Sequence, residues 1–425
     1  MNLKRSFVLF VSLLFLNLLS AEGKILAIED AVRLAKENNI SVKTAENDLD
    51  SLAVQNKYSW NSVSPAAKLN GNFEDDIEND STSLSLSGAV SLSLKINLYS
   101  EIKGAKLNYE KGLLTYSEAV RQIELSVRKK FYNLIYQKEN LVLQNRSLET
   151  SRAQYLNNEE KFKNGKISEL DAFTSRVNYE SKKPVVESAE INFQNDLASF
   201  KQLLGIPQET EIALDGSLDD FLNLKEISFG LLPKVDEPAP DVKSAEYDVE
   251  IAKNSLLNLR FSAYAPVITG SYSYGKSKKS MQDDWMTTNQ LSVGVSVPLD
   301  GILPWSSSAV EIKKQKNALD TAEKVLEDAK TTVAVQTESY IRKINQAVKQ
   351  LDSLKSTEKL AEQTYKMTLA AYNYGKTDFL SLQNANDSVL SAGVNLKSQA
   401  YTLISTILDL ESVLGLEFGT LETKK

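Results

Sequence analysis

Hydrophobic positions along this chain follow two different periods, and each period occurs twice. From about Ile28 to Tyr58, Ala31, Leu34, Ala35 and then Ala45, Leu49, Leu52 and Ala53 recur at the three- and four-residue spacing of a helix. From Leu84 to Leu98 the spacing drops to two. Even positions there read Leu, Leu, Gly, Val, Leu, Leu, Ile, Leu, while the odd ones are Ser85, Ser87, Ala89, Ser91, Ser93, Lys95 and Asn97. That alternation predicts a strand with one apolar and one small polar face. A second alternating run has Leu291, Val293, Val295, Val297 and Leu299 against Ser292, Gly294, Ser296 and Pro298. Shorter partners, Pro65 to Phe73 and Pro266 to Tyr274, precede them across polar connectors, Glu74 to Ser83 and Gly275 to Thr288. Two β-hairpins are expected, at about 65–98 and 264–299.

Very long helices follow each hairpin. From Ser100 to Asn164 there is no proline and glycine occurs only at 104 and 112; from Trp305 to Tyr374 there is neither. At 1.5 Å per residue such a segment approaches roughly 100 Å. Leu125, Val127, Phe131, Leu134, Ile135, Leu141 and Leu143 form a narrow apolar stripe among charges, as in a coiled coil. The helices should stop at Asn164-Gly165-Lys166 and Tyr374-Gly375-Lys376, because glycine is the favoured residue just past a helix end. Ser168, and Thr377 or Asp378, are placed to cap returning helices that run to Leu203-Leu204-Gly205 and Val413-Leu414-Gly415. Pro184 should kink the first of these.

The two halves are copies of one unit. Val42-Lys43-Thr44-Ala45-Glu46 returns as Val242-Lys243-Ser244-Ala245-Glu246, and Pro65 and Leu98 return as Pro266 and Leu299. Tyr155, Phe162, Gly165 and Leu204-Gly205 return as Tyr365, Tyr372, Gly375 and Leu414-Gly415. The expected organisation is a first repeat over 22–205 (long helices 99–205) and a linker over 206–240. A second repeat occupies 241–415 (long helices 305–415), with a tail over 416–425.

Strand length sets the environment. Fifteen alternating residues exceed the usual strand of a soluble sheet and give about 50 Å, enough to cross a bilayer obliquely. The serine face suits a watery lumen, and Tyr58, Trp60, Tyr99 and Trp305 sit at helix–strand junctions, where an aromatic girdle would lie. Four strands cannot close a barrel, and open edges in lipid cost several kcal/mol per unsatisfied group. Two chains would give eight strands; three would give twelve and leave a channel, which is the expected state.

Composition adds limits. Lys4-Arg5, an apolar run from Phe7 to Leu19 and Ser20-Ala21-Glu22 read as a secretory signal over 1–21, with no cysteine after it to take an acyl anchor. No later stretch is long enough for a transmembrane helix. There is no cysteine and no histidine, which removes disulfides, thiol chemistry and the commonest general base and metal ligand. No cofactor, metal or catalytic residue is therefore expected, and a serine triad cannot form. Losing Lys4 and Arg5 leaves 47 basic against 56 acidic residues, net −9, which argues against a nucleic-acid partner.

The ordered set of signal, helix, long hairpin, helical hairpin with a glycine turn, Leu-Leu-Gly, linker and repeat resembles the outer-membrane efflux protein family, the TolC-type channels. The specific parts are Gly165 and Gly375, the two Leu-Gly helix ends, and Leu204-Gly205-Ile206-Pro207 followed by Ala213-Leu214-Asp215-Gly216. The fold class implied is mainly α with a transmembrane β-barrel contribution: a trimeric channel-tunnel with a twelve-stranded barrel in the outer membrane and a helical tunnel across the periplasm. Such a duct passes cargo from an inner-membrane pump and a periplasmic adaptor, in contact with outer-membrane lipid, and does no chemistry. The likeness places a pore constriction at Glu169, Asp171 and Asp378, with Ser381 and Asn384 standing where the best-known members carry aspartates. It places the periplasmic tip, where an adaptor docks, at Asn164, Gly165, Lys166, Tyr374, Gly375 and Lys376. The competing class is a periplasmic coiled-coil adaptor or scaffold of such a system, which would carry one helical hairpin rather than two.

Overall fold

The computed structural model describes residues 24–76, 81–222, 238–280 and 283–421; the signal segment 1–21 lies outside them. Its elements in order are β1 (Lys24–Leu26), α1 (Ile28–Asn38), α2 (Ile40–Lys57), β2 (Ala66–Asp76), β3 (Ser81–Lys95), α3 (Leu98–Lys163) and α4 (Glu169–Leu204). Then come β4 (Ile212–Leu214), α5 (Asp219–Leu222), α6 (Pro240–Tyr264), β5 (Val267–Lys278), β6 (Met286–Ser296), α7 (Ser307–Asn373) and α8 (Phe379–Leu414). The chain forms two compact units, one from residues 1–43, 119–236 and 335–425, the other from 44–118 and 237–334. Each unit thus draws on both sequence repeats.

In the first unit, the apolar stripe of α3 is the core. Val127, Phe131, Leu134 and Ile135 are buried against Phe200 and Leu204 of α4, Ile344 of α7, and Leu403, Ile404 and Ile407 of α8. Phe131 packs edge-on to Tyr132, centroids 5.8 Å apart, and tilted on Phe200 at 6.3 Å. The helices α3, α4, α7 and α8 share one seam because each carries a stripe too narrow to be buried alone.

Of the segment expected as an irregular linker, 206–240, residues 223–237 lie outside the described ones, and the part up to Leu222 is more closely built in than its sequence suggests. Ile212, Ala213 and Leu214 pair in parallel with Lys24, Ile25 and Leu26, and Leu26, Leu214, Leu218 and Phe221 enter the core. Glu139 anchors the stretch between β4 and α5: its carboxylate accepts from the Ser217 hydroxyl at 3.1 Å and the Leu218 N–H at 3.0 Å. Lys397 bridges Glu139 and Asp219 at 2.8 and 2.6 Å.

The helix expected to run unbroken from Ile28 to Tyr58 is broken. Asn39 takes an extended backbone (ψ 132°), its side-chain amide donates to the Leu203 carbonyl at 2.8 Å, and its oxygen accepts from Ser41 N–H at 2.8 Å. Asparagine competes with the helical ladder by offering its own acceptor, so α1 ends and α2 starts at this residue. Pro184, by contrast, sits inside α4, which continues through it.

The tail after α8 is clamped. Glu411 is fully buried and accepts from Gly419 N–H at 3.0 Å and Leu421 N–H at 2.8 Å. Arg121 donates to the Glu411 carbonyl at 2.6 Å and to that of Leu416, and its guanidinium lies 4.9 Å from the Phe418 ring centroid. Arg128 stands 5.7 Å over the same ring and pairs with Glu29 and Glu124.

In the second unit, β2, β3, β5 and β6 make one antiparallel sheet in the order β2-β3-β5-β6, so each repeat gives one hairpin and the hairpins join through β3 and β5. The strands are displaced from expectation. β2 and β5 extend past Phe73 and Tyr274 to Asp76 and Lys278, because the long β3 offers ladder partners for polar residues too. β3 stops at Lys95, where Asn97 turns the chain into α3. The Asn97 carbonyl accepts from Glu101 N–H at 3.0 Å and from the Ser100 hydroxyl at 2.7 Å, while its amide reaches Glu101 at 2.9 Å and Asn258 at 3.1 Å. Gly112 lets α2 approach α3: a Cβ there would lie 2.5 Å from the Leu52 side chain. Among the described residues, no helix is long and apolar enough to cross a membrane.

Burial raises the Glu411 carboxyl above its ordinary value of 4.5, against the opposing pull of the Leu421 and Gly419 N–H groups and of Arg128 and Arg121. A carboxyl with a raised folded pKa stabilises the fold fully below about pH 4.5 and loses that contribution as pH climbs through the raised value. Glu411→Gln, which keeps an acceptor but does not titrate, should therefore gain on the parent protein in thermal midpoint as pH rises from 4 to 8; parallel profiles would contradict this. Glu411→Ala orphans two N–H groups and should cost roughly 1–3 kcal/mol for each.

Candidate functional site: channel wall and glycine turns

Register sorts every sheet residue onto a face. Leu92 pairs with Gly270 and Gly270 with Val293; Leu94, Ile268 and Val295 form the next rung, and Val90, Tyr272 and Leu291 another. Directly paired residues point the same way, so these rungs build one apolar face, joined on β2 by Phe73, Leu69 and Ala67. The other face carries Ser91, Ser271 and Ser292 in one rung, then Ser93, Thr269 and Gly294, and Ala89, Ser273 and Gln290. Both hairpins agree on which side is apolar. Leu291 and Val293 are each 76% exposed, an apolar surface this unit does not cover itself.

Tyr58, Trp60, Tyr99 and Trp305 are all exposed, Trp305 at 78%, near the helix end of the strands. A second aromatic group, not anticipated, lies at the hairpin end: Phe73, Tyr274 and Trp285. The signal for it was present in β5, where Tyr272 and Tyr274 alternate with serines.

The two glycine turns are the same structure. Gly165 N–H donates to the Phe162 carbonyl at 2.8 Å and Lys166 N–H to that of Lys161 at 2.8 Å; Gly375 and Lys376 donate to Tyr372 at 3.0 Å and Ala371 at 2.9 Å. This is the double bond pattern of a left-handed helix terminus, and both glycines have φ 67°. A Cβ at either would meet nothing within 4 Å, so alanine there costs only the backbone strain, about 1 kcal/mol. Asn164, Lys166, Tyr374 and Lys376 are exposed, Tyr374 at 80%.

Past each turn a side chain caps the returning helix. Ser168 accepts from Asp171 N–H at 3.1 Å and donates its hydroxyl to the Asp171 carboxylate at 2.8 Å; Asp378, not Thr377, accepts from Ser381 N–H at 2.7 Å. Those bonds, from the Ser381 side chain first and its backbone next, hold the Asp378 carboxyl below its ordinary value. Asp378 is thus a cap that also keeps its charge. Glu169, Asp378, Ser381 and Asn384 are exposed and Asp171 half-buried. Among the described residues no hydrogen bond or ion pair joins the first-repeat members of this set to the second-repeat members.

Behind the turns the seam becomes polar. Ser147, Ser151, Gln154 and Asn158 of α3 are buried where apolar residues would stand. Asn158 accepts from the Tyr372 hydroxyl at 2.7 Å, Gln154 donates to Tyr365 at 3.4 Å, and Lys182 of α4 reaches Ser147 at 2.8 Å and Asp387 of α8 at 2.7 Å. Sequence reasoning missed Lys182, Asp387 and Asn158. Their one signal was Tyr365 and Tyr372, noticed only as landmarks of the repeat.

The family model described as outer membrane efflux protein matches residues 231–416. Over that stretch the chain is similar to the outer membrane efflux proteins. It is 19% identical over 306 residues to outer membrane protein TolC of Vibrio cholerae, covering 71% of this chain and 69% of that one. Its fold is that of the CmeC outer membrane channel of Campylobacter jejuni, with a TM-score of 0.78 at 17% identity, covering 91% of this chain and 85% of that one. The outer membrane protein VceC of Vibrio cholerae matches with a TM-score of 0.73 at 13% identity, over 92% and 96% of the two chains. Outer membrane efflux proteins are outer-membrane channels that extend into the periplasm, and they are not enzymes. The chain's location is accordingly the outer membrane.

The face assignment has a direct test. Leu92→Arg or Val295→Arg places a charge on the apolar face and should block membrane assembly, at roughly 2–4 kcal/mol each near the bilayer midplane. Ser91→Arg or Ser292→Arg should assemble normally, as read by heat-modifiable migration of membrane-extracted protein. Equal damage from both pairs would mean the faces are wrongly assigned.

Proposed function

We propose that this efflux channel is the passive exit duct of a tripartite efflux or type I secretion system, assembled from three copies of the chain. The observation that carries the reading is the sheet: one face apolar from the helix end through most of the strands, an opposite polar face rich in serine, and two outer strands, β2 and β6, paired on one side only. Such a sheet is stable in lipid only when other copies close it, and three copies give twelve strands with room for a wet lumen. The hydroxyl face lines that lumen, and the apolar face meets outer-membrane lipid.

In this reading the glycine turns form the periplasmic tip. Asn164, Gly165 and Lys166, with Tyr374, Gly375 and Lys376, face a periplasmic adaptor, which hands on cargo from an inner-membrane pump. The duct performs no chemistry of its own. Glu169, Asp171 and Asp378, repeated around a three-fold axis, concentrate negative potential at the entrance, with Ser381 and Asn384 completing the constriction. A coiled-coil adaptor is the poorer reading, since it leaves the exposed apolar sheet face without a role.

The substitutions that test this keep the helix caps. Ser168 still caps the first returning helix when Asp171 is changed, and asparagine caps as well as aspartate at 378, so Asp171→Asn and Asp378→Asn with Glu169→Gln remove charge while the helices still start correctly. In planar-bilayer recordings the triple variant should retain conductance and lose cation preference. Unchanged ion selectivity would remove these residues from the constriction, and an absence of any channel activity in the parent protein would remove the duct.

A further inference from the structure

The apolar face of the sheet is not the same at its two ends. At the helix end its last rungs are Leu94, Ile268 and Val295, then Leu92, Gly270 and Val293, without a charge. At the hairpin end the same face carries Lys276, paired with Leu86 and Thr287, and Lys278, paired with Leu84. The two lysines are alternate residues of one strand, so their stems leave the sheet side by side, roughly 7 Å apart. Tyr274 precedes them on that face, and Lys278 Nζ lies 5.4 Å from the Trp285 ring centroid. Of the acidic residues at this end of β2, Glu74 and Asp76 pair with Ser83 and Ser81 and so lie on the hydroxyl face; Asp75, paired with Thr82, shares the lysines' face two strands away. Among the described residues neither lysine has an ion-pair partner.

We propose that Lys276 and Lys278, with Trp285 beside them, form a binding site for the phosphate-bearing headgroup of an outer-leaflet lipid. The inference rests on the apolar face being the lipid-facing one. A lysine at the rim of such a face lays its four-carbon stem along hydrocarbon and raises its ammonium to headgroup level. Tryptophan and tyrosine favour the same depth. What the ammonium pair finds there is decided by charge: a phosphate monoester or diester complements it, and a zwitterionic headgroup does so poorly. The uncharged opposite end makes the site specific to one leaflet, the one on the hairpin side. Because the pair belongs to one strand, the assembled barrel would present one such site per chain.

The test uses the full chain purified in a neutral maltoside detergent and offered diphosphorylated lipid A or phosphatidylcholine in mixed micelles, with bound lipid counted by native mass spectrometry. The parent protein should retain the phosphorylated lipid over phosphatidylcholine by roughly thirtyfold at low salt. Lys276→Gln with Lys278→Gln should bring retention down to the phosphatidylcholine level. Lys68→Gln with Lys95→Gln, on the hydroxyl face, should change nothing. Undiminished retention in the Lys276/Lys278 variant overturns the site. Displacement of the lipid by millimolar inorganic phosphate overturns the lipid assignment in favour of a simple anion site. Either result leaves the channel reading standing if the parent protein still conducts in planar bilayers; a parent that neither conducts nor retains lipid removes both.

Discussion

Backbone hydrogen bonding at the edges of one four-stranded sheet is the constraint on which the rest of this structure depends. β3 and β5 are paired on both sides; β2 and β6 are paired on one. In water an open edge is satisfied by solvent. Beside lipid it is not, and each unsatisfied group costs several kcal/mol. An apolar face running through all four strands therefore demands closure by strands from elsewhere. An oligomer would meet the same demand, since the described strands number too few to curl round on themselves. The polar face would then lie inside.

The helices are held by a different economy. Their apolar stripes are narrow, and the seam they share grows polar behind the glycine turns, at Ser147, Ser151, Gln154 and Asn158. Polar groups at such positions sacrifice stability and fix register, because each has only a few geometries in which its partner is reachable. Around the α1 end of the same unit the chain uses ion pairs instead. Arg128, braced by Glu124 of its own helix, ties α3 to α1 through Glu29, and Lys397 ties α8 to Glu139 and Asp219. Four helix ends, at Gly165, Gly205, Gly375 and Gly415, use one and the same left-handed terminus, so the duplication seen in the sequence is repeated bond for bond in the backbone.

Much of this was legible beforehand, and for identifiable reasons. Alternation of leucine with serine is a period-two signal too long to be misread, and Asn-Gly-Lys after an unbroken helical run ends a helix by backbone sterics alone. The features that escaped depended on partners distant in sequence. The break at Asn39 is fixed by the Leu203 carbonyl, and β4 exists because Lys24 to Leu26 lie alongside it; three residues of strand carry no periodicity. The strand ends shifted because a long neighbour extends a ladder regardless of side-chain polarity. At the turns, sequence could offer Thr377 or Asp378 as the cap but not choose between them; the bond to Ser381 N–H chooses Asp378.

The central claim is that β2 and β6 pair with other copies of the chain. The sequence has no cysteine, so introduced thiols report without background. Paired cysteines scanned along Asn70 to Asn72 of β2 and Gln290 to Ser292 of β6, on the polar-face positions Asn70, Asn72, Gln290 and Ser292, should form disulfides between chains when oxidised in isolated outer membranes. Denaturing electrophoresis should then show dimers and trimers and nothing larger. Chains that stay monomeric at every register, or ladders that run beyond three, would contradict the account.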